Sequence, residues 1–229
     1  MKIKKKLVLV VLLLILVVLI IIVCKKIQIS KSVVTKPKKI VLNEKQQKFR
    51  KTLEDMKSIL DKNKIHFFLA FGTALGAHRE NKFIEHDEDI DIGVFKSKTS
   101  LYKIYKILEN NKFFTLLKYY PKNKPIKNAT ELTYIHKKTN VRIDIFTFIK
   151  SSDNEYICYS YTSICDKKPE KMCIWKYYIK LEKKKFFGKI YNIPDKKFLV
   201  SSYGKDWNVS KKYTYEEGII NKEYKGLIN

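Results

Sequence analysis

The stretch IEHDEDIDIG (84–93) places five acidic side chains within seven positions of a chain whose formal net charge is +25. Its second half alternates, with Ile90 between Asp89 and Asp91 and Ile92 after them. On a β-strand that alternation puts both carboxylates on one face and both isoleucines on the other. A strand begun early enough would add Asp87 to the acidic face. Carboxylates crowded in this way repel, and one must stay protonated unless a cation neutralises them. Oxygen-only ligands suit Mg²⁺ or Mn²⁺, which keep waters and hold phosphates as well. The same residues also fit a solvated acidic loop paired with nearby lysines, because D-x-D is short and common.

Two further features narrow the chemistry. Upstream, the apolar run IHFFLAF (65–71) leads into Gly72 and Thr73. Glycine there lets backbone N–H groups approach a phosphate, and a helix opening behind it favours an anion. Downstream, Asp144 stands between Ile143 and Ile145 in RIDIF (142–146), a second alternating segment. A carboxylate arriving from a neighbouring strand completes the ligand set that metal-assisted phosphoryl transfer needs. Arg79 is the expected clamp on a phosphate, since guanidinium matches phosphate geometry and lysine does not. It and Arg142 stand out because the chain has only three arginines among 48 basic residues. A structural ion pair is the competing role for both. His78 and His86 read as ordinary packing or surface histidines.

The elements that must position these residues are legible in part. Apolar residues at Phe49, Leu53, Met56 and Leu60 recur at helical spacing from Glu44 onward. Strands are predicted at 65–71, 89–95, 131–137 and 141–149, with a helix around Leu101–Leu108. Residues 193–207 read as a helix opened after Pro194 and ended by Gly204, with Tyr203 and Trp207 packing it onto the sheet. Together these predict one mixed α/β domain over 44–229. Residues 150–185 give no clear period.

Ahead of that domain, a short basic tail (1–6) precedes an uninterrupted apolar run from Leu7 to Cys24. At 1.5 Å per residue it spans about 27 Å, close to a bilayer's hydrocarbon thickness. It lacks the polar face of a core helix and the small-residue cleavage site of a signal peptide. An uncleaved transmembrane anchor (7–24) followed by a lysine-rich stalk (25–43) is expected, which makes the membrane a partner. Lysines flank both ends, so charge does not favour a lumenal catalytic domain. The sequons at Asn128 and Asn208 lean the other way. The basic excess points to an anionic partner or to compositional bias. No Arg-rich stripe or RNA-binding signature accompanies it, so nucleic acid is not expected.

Three motifs in order carry a family resemblance. GTALGAHRENKFIEHDEDIDIGV (72–94), RIDIF (142–146) and NIPDKKFLVSSYGKDW (192–207) resemble the signatures of the LicD/fukutin family, within the DNA polymerase β-like nucleotidyltransferase superfamily. The resemblance covers about 44 to 210. It implies a nucleotidyltransferase-like mixed sheet flanked by helices. It also implies transfer of a phosphorylated group, of phosphocholine or phospho-alditol type, from a CDP-linked donor to a glycan or glycoprotein hydroxyl. In such a transfer Asp89, Asp91 and Asp144 would be catalytic, with Asp87 as a further Mg²⁺ or Mn²⁺ ligand. Gly72, Thr73 and Arg79 would bind substrate. A single anchor ahead of the catalytic domain is similar to the Golgi members, which implies type II topology and a Golgi or ER lumenal site in a eukaryotic host. Cys158, Cys165 and Cys173 lie near a zinc-binding cysteine cluster known in the family, and zinc, a disulfide and free thiols all remain open for them. A D-x-D glycosyltransferase using a nucleotide sugar and a non-enzymatic basic glycan-binding protein are the alternative functions. The first needs neither the Gly-Thr turn nor the third aspartate, and the second leaves the paired aspartates unexplained.

Overall fold

The computed structural model describes residues 15–23, 25, 42–161, 172–210 and 224–228. The chain divides into two units, Met1–Val41 and Leu42–Asn229. In the first, residues 15–23 are helical and their apolar side chains are exposed. No helix among the described residues is long and apolar enough to cross a membrane. The expected span 7–24 falls only partly on them, since residues 7–14 and 24 lie outside.

The second unit opens with α1 (Glu44–Lys62), capped by Asn43, whose side chain accepts from the Gln46 N–H. Its apolar stripe (Phe49, Leu53, Met56, Leu60) is buried, which stabilises the unit by about 1.5–3 kcal/mol per side chain. The other helices are α2 (Phe71–Arg79), α3 (Leu101–Leu108) and α4 (Lys196–Tyr203). Asp195 caps the start of α4, and Gly204, at φ +86°, ends it in a conformation that favours glycine.

Ten strands among the described residues form one mixed sheet: β1 (Phe68–Leu69), β2 (Asp89–Phe95), β3 (Phe114–Tyr120), β4 (Glu131–His136), β5 (Arg142–Ser152), β6 (Glu155–Tyr161), β7 (Met172–Tyr178), β8 (Leu181–Phe186), β9 (Lys189–Pro194) and β10 (Tyr224–Ile228). The order is β10-β7-β6-β5-β2-β1-β9-β8, with β4 also paired to β5 and β3 to β4. At the centre β2 runs parallel to β5, and β1 joins β2 antiparallel and β9 parallel. The residue pattern accounts for this centre. Ile90, Ile92 and Val94 of β2, with Ile143 and Ile145 of β5, line one buried face and belong to the same core as the α1 stripe.

Two expectations are corrected in detail. The first strand holds two residues rather than the run 65–71, because Phe71 already turns into α2 with φ +35°. The segment without a clear period contains β6, β7 and most of β8.

Candidate active site

Register assembles the acids. Asp89, Asp91 and Gly93 of β2 stand opposite Arg142, Asp144 and Phe146 of β5. Thr133 and Glu131 of β4 face Asp144 and Phe146 from the other edge. In-register neighbours point to the same face, so these side chains share the face opposite the isoleucines. Carboxylate oxygens of Asp87, Asp89 and Asp91 lie within 4.8 Å of one another. Asp144 is not in that set, but it is the in-register neighbour of Asp91.

The turn before α2 fixes Asp91. The Gly72 N–H donates to Asp91 Oδ2 at 3.0 Å, and the Asp91 N–H donates to Thr73 Oγ1 at 2.9 Å. In this structure, then, the two residues expected to meet phosphate are engaged with an aspartate. A Cβ on Gly72 would stand 2.3 Å from Asp87 Oδ2 and 3.3 Å from Asp91 Oδ2, so only glycine leaves room for both carboxylates. Phe71 holds the turn in a backbone region that bulky residues rarely occupy. Its ring is packed against Phe146, Phe148, Tyr177 and Phe198 at 4.9–5.9 Å, and this packing opposes relaxation.

Burial and mutual repulsion raise the acids together. Desolvation, then Asp89, pushes Asp87 up to about 7. Asp91, 9 % exposed, is held well above the usual carboxylate range by burial and by Asp89, Asp87 and Asp144, against the Gly72 N–H. Asp144 rises to about 6, mainly from burial, with the nearby Thr133 hydroxyl opposing. No well-formed hydrogen bond joins those two side chains, and Asp144 Oδ1 is buried without a partner. An anionic, desolvated and partly unsatisfied oxygen cluster is the donor chemistry that a hard divalent cation completes. The residues present fit Mg²⁺ or Mn²⁺.

Sequence reasoning missed Glu131. It is 7 % exposed and pushed up to about 8, first by burial and then by Asp144. An acid opening the strand ELTYIH was the available signal, but only the β4–β5 register places it on the acidic face. Tyr203, at the end of α4, is also part of these surroundings. Burial, followed by Asp91, Asp87 and Asp89, raises its phenol well above its ordinary range.

The remaining candidates fall elsewhere. Arg79 pairs with Glu80 through Nη2 at 2.8 Å and Nε at 3.0 Å. Arg142 lies 3.4 Å from Asp89 and 3.6 Å from Glu88. His78 bonds the Pro194 carbonyl at 2.8 Å and sits edge-on to Trp207, while His86 is exposed. Cys158 is buried, with Sγ 3.7 Å from the Tyr159 carbonyl. Cys165 and the Cys173 side chain lie outside the described residues, and so does any zinc site or disulfide built on them. Asn128 and Asn208 are both exposed.

Residues 64–196 match the family described as "LicD/FKTN/FKRP, nucleotidyltransferase domain". No curated protein matches the chain. Among solved structures, the lincomycin-bound lincosamide antibiotic adenylyltransferase LnuA is similar, at 14 % sequence identity and a TM-score of 0.45, covering 75 % of this chain and 94 % of that one.

Proposed function

Because the chain belongs to the LicD/FKTN/FKRP nucleotidyltransferase family, and so is a nucleotide-related transferase, we propose that it moves a phosphorylated group from a CDP-linked donor to a glycan hydroxyl. The observation that carries this reading is the pairing of Asp91 with Asp144 on adjacent parallel strands, beside the clustered oxygens of Asp87 and Asp89.

A bound Mg²⁺ or Mn²⁺ would neutralise the donor pyrophosphate and the charge developing on the leaving CMP. Asp87, Asp89 and Asp91 would hold that ion, with the Gly72 N–H orienting the Asp91 carboxylate and the Thr73 hydroxyl holding the Asp91 backbone N–H. Asp144 would take the acceptor's proton, a role supported by its unpartnered Oδ1 and by a carboxyl raised to about 6. The acceptor oxygen then bonds to phosphorus as the bond from phosphorus to the CMP oxygen breaks. Arg142 limits repulsion on Asp89. Residues 7–24 would tether the chain to a membrane, with the catalytic unit lumenal. The exposed sequons support that side, and the flanking lysines argue for the other.

The test is CMP release by the full-length chain in detergent, with CDP-choline, CDP-ribitol and CDP-glycerol each offered beside a glycan acceptor. Release from one donor, abolished by EDTA and restored by Mg²⁺ or Mn²⁺, is expected. Release that persists in excess EDTA removes the metal-dependent reading. Consumption of nucleotide sugars alone makes the protein a glycosyltransferase.

A further inference from the structure

Asp87 is delivered by the link between α2 and β2, residues 80–88, and the start of α1 grips this link. The Gln46 side chain, 3 % exposed, bonds both backbone groups of one residue in it. Its Nε2 donates to the Phe83 carbonyl at 2.8 Å, and its Oε1 accepts from the Phe83 N–H at 3.0 Å. A carboxamide used this way reproduces the edge of a paired strand. Neither an ionised Glu nor a Met of similar length offers a donor and an acceptor together.

Two neighbours reinforce the grip at Glu85. Lys45 Nζ donates to the Glu85 carbonyl, and Asn43 Nδ2 donates to its carboxylate at 3.3 and 3.4 Å. Asn43 also caps α1 through Oδ1, so the helix start and the link share one residue.

The grip reaches Asp87 along the chain. The buried Phe83 ring meets Phe49, Phe186 and Phe187 at 5.0–5.2 Å, which fixes the side chain. Gln46 fixes what ring packing leaves open, the rotation of the peptides on either side of Phe83. The next residue, Ile84, is buried, and its carbonyl accepts from the Asp87 N–H at 3.2 Å. Beyond these contacts helix and link part. A groove of about 420 Å³ opens there, with Lys48, Phe49, Asp87 and Glu88 in its lining.

We propose that Gln46 is a positioning residue for the metal site, setting the Asp87 carboxylate through the backbone of Phe83 and Ile84. Its side chain bonds to none of the acids, so it acts only through the link. This role rests on Asp87 being a ligand of the ion, as proposed above.

The test compares the full-length chain in detergent with two variants. Gln46→Met keeps the length of the side chain and removes both bonds. Met56→Ala opens a cavity on the buried stripe of the same helix and leaves the link untouched. Both should melt below wild type, since one leaves buried backbone groups unpaired and the other loses core contacts. Mn²⁺ binding is read from the paramagnetic resonance of the free ion, at a temperature where every variant is folded. It should be at least about tenfold weaker in Gln46→Met and unchanged in Met56→Ala. In EDTA, hydrogen exchange at the Asp87 amide should be faster in Gln46→Met alone. Asn43→Ser, at an exposed position, keeps a helix cap and loses the reach to Glu85. It should move Mn²⁺ affinity and exchange in the same direction by less, at an unchanged melting temperature, and it carries the comparison if Gln46→Met does not fold. Wild-type Mn²⁺ affinity or wild-type Asp87 exchange in the variant that carries the comparison, or equal losses in Met56→Ala, would overturn the proposal. A wild-type chain that binds no Mn²⁺ refutes the metal reading, and exchange at Asp87 then decides the positioning role by itself.

Discussion

Replacing Glu131 with Gln should stabilise the protein in a way that grows with pH. In the folded chain this carboxyl titrates near 8 rather than at 4.5, chiefly because burial opposes its charge and Asp144 repels it. The folded state therefore keeps the proton over a window in which the unfolded chain has released it. The stability tied to that proton is complete below pH 4.5 and is lost as pH rises through 8. With 1.36 kcal/mol per unit, the deficit of the native protein is near zero at pH 4, about 2 kcal/mol at pH 6 and about 4 kcal/mol at pH 8. Glutamine cannot ionise, so the variant escapes the deficit. At about 2–4 °C per kcal/mol for a domain of this size, its melting temperature should exceed wild type by roughly 8–16 °C at pH 8 and by almost nothing at pH 4. Trp175 and Trp207 provide the fluorescence signal, and EDTA keeps metal from masking the effect. A melting offset that is equal at both pH values, or a variant less stable at pH 8, would show that Glu131 carries no buried charge penalty.

Asp91→Asn should keep or raise the metal-free melting temperature at pH 8, since it relieves repulsion from Asp89, Asp87 and Asp144. Unfolding of this variant would make Asp91 a structural residue. Asp144→Asn should slow CMP release by ~10²–10⁴-fold, the usual contribution of a positioned proton acceptor, and near wild-type release would exclude that role. Gly72→Ala sets a Cβ 2.3 Å from Asp87 Oδ2 and should weaken Mg²⁺ binding about 10–100-fold in a thermal-shift titration. An unchanged titration would mean that Asp87 has room to move without cost. Mg²⁺ should raise the melting temperature more at pH 8 than at pH 5, because Asp87 and Asp144, at about 7 and about 6, hold protons at the lower pH. Equal shifts at the two pH values would place the ion elsewhere.

Much of the site was legible because alternation is a local signal. DIDIG and RIDIF each declare which residues share a face, and the α1 stripe and the limits of α4 at Asp195 and Gly204 are equally local. What could not be read depends on pairing across distance. Glu131 joins the acids only through the register of β4 on β5. The attachment of Gly72 and Thr73 to Asp91 follows from the way α2 meets β2. Arg79 looked available because sequence does not show whether a side chain turns toward its own neighbour, here Glu80. In β8, consecutive lysines at 183–185 occupy both faces of a strand at the sheet edge, where charge resists unwanted pairing, and so they erase the alternation that would have revealed it.

The place of β9 in the sheet sets an order of assembly as the chain leaves the ribosome. Every carboxylate of the site has been synthesised by Asp144, yet β1, the neighbour of β2, pairs on its other edge with β9, at Asn192. Until β9 arrives, Phe68 and Leu69 form a bare apolar edge beside the acid-bearing strand, open to pairing with another chain. A product truncated between β7 and β9 would therefore contain every acidic residue of the site and still be prone to aggregate. Premature termination in that interval would remove soluble protein although every acid of the site is present, and it would also delete α4, which carries Tyr203 and the Phe198 contact to Phe71.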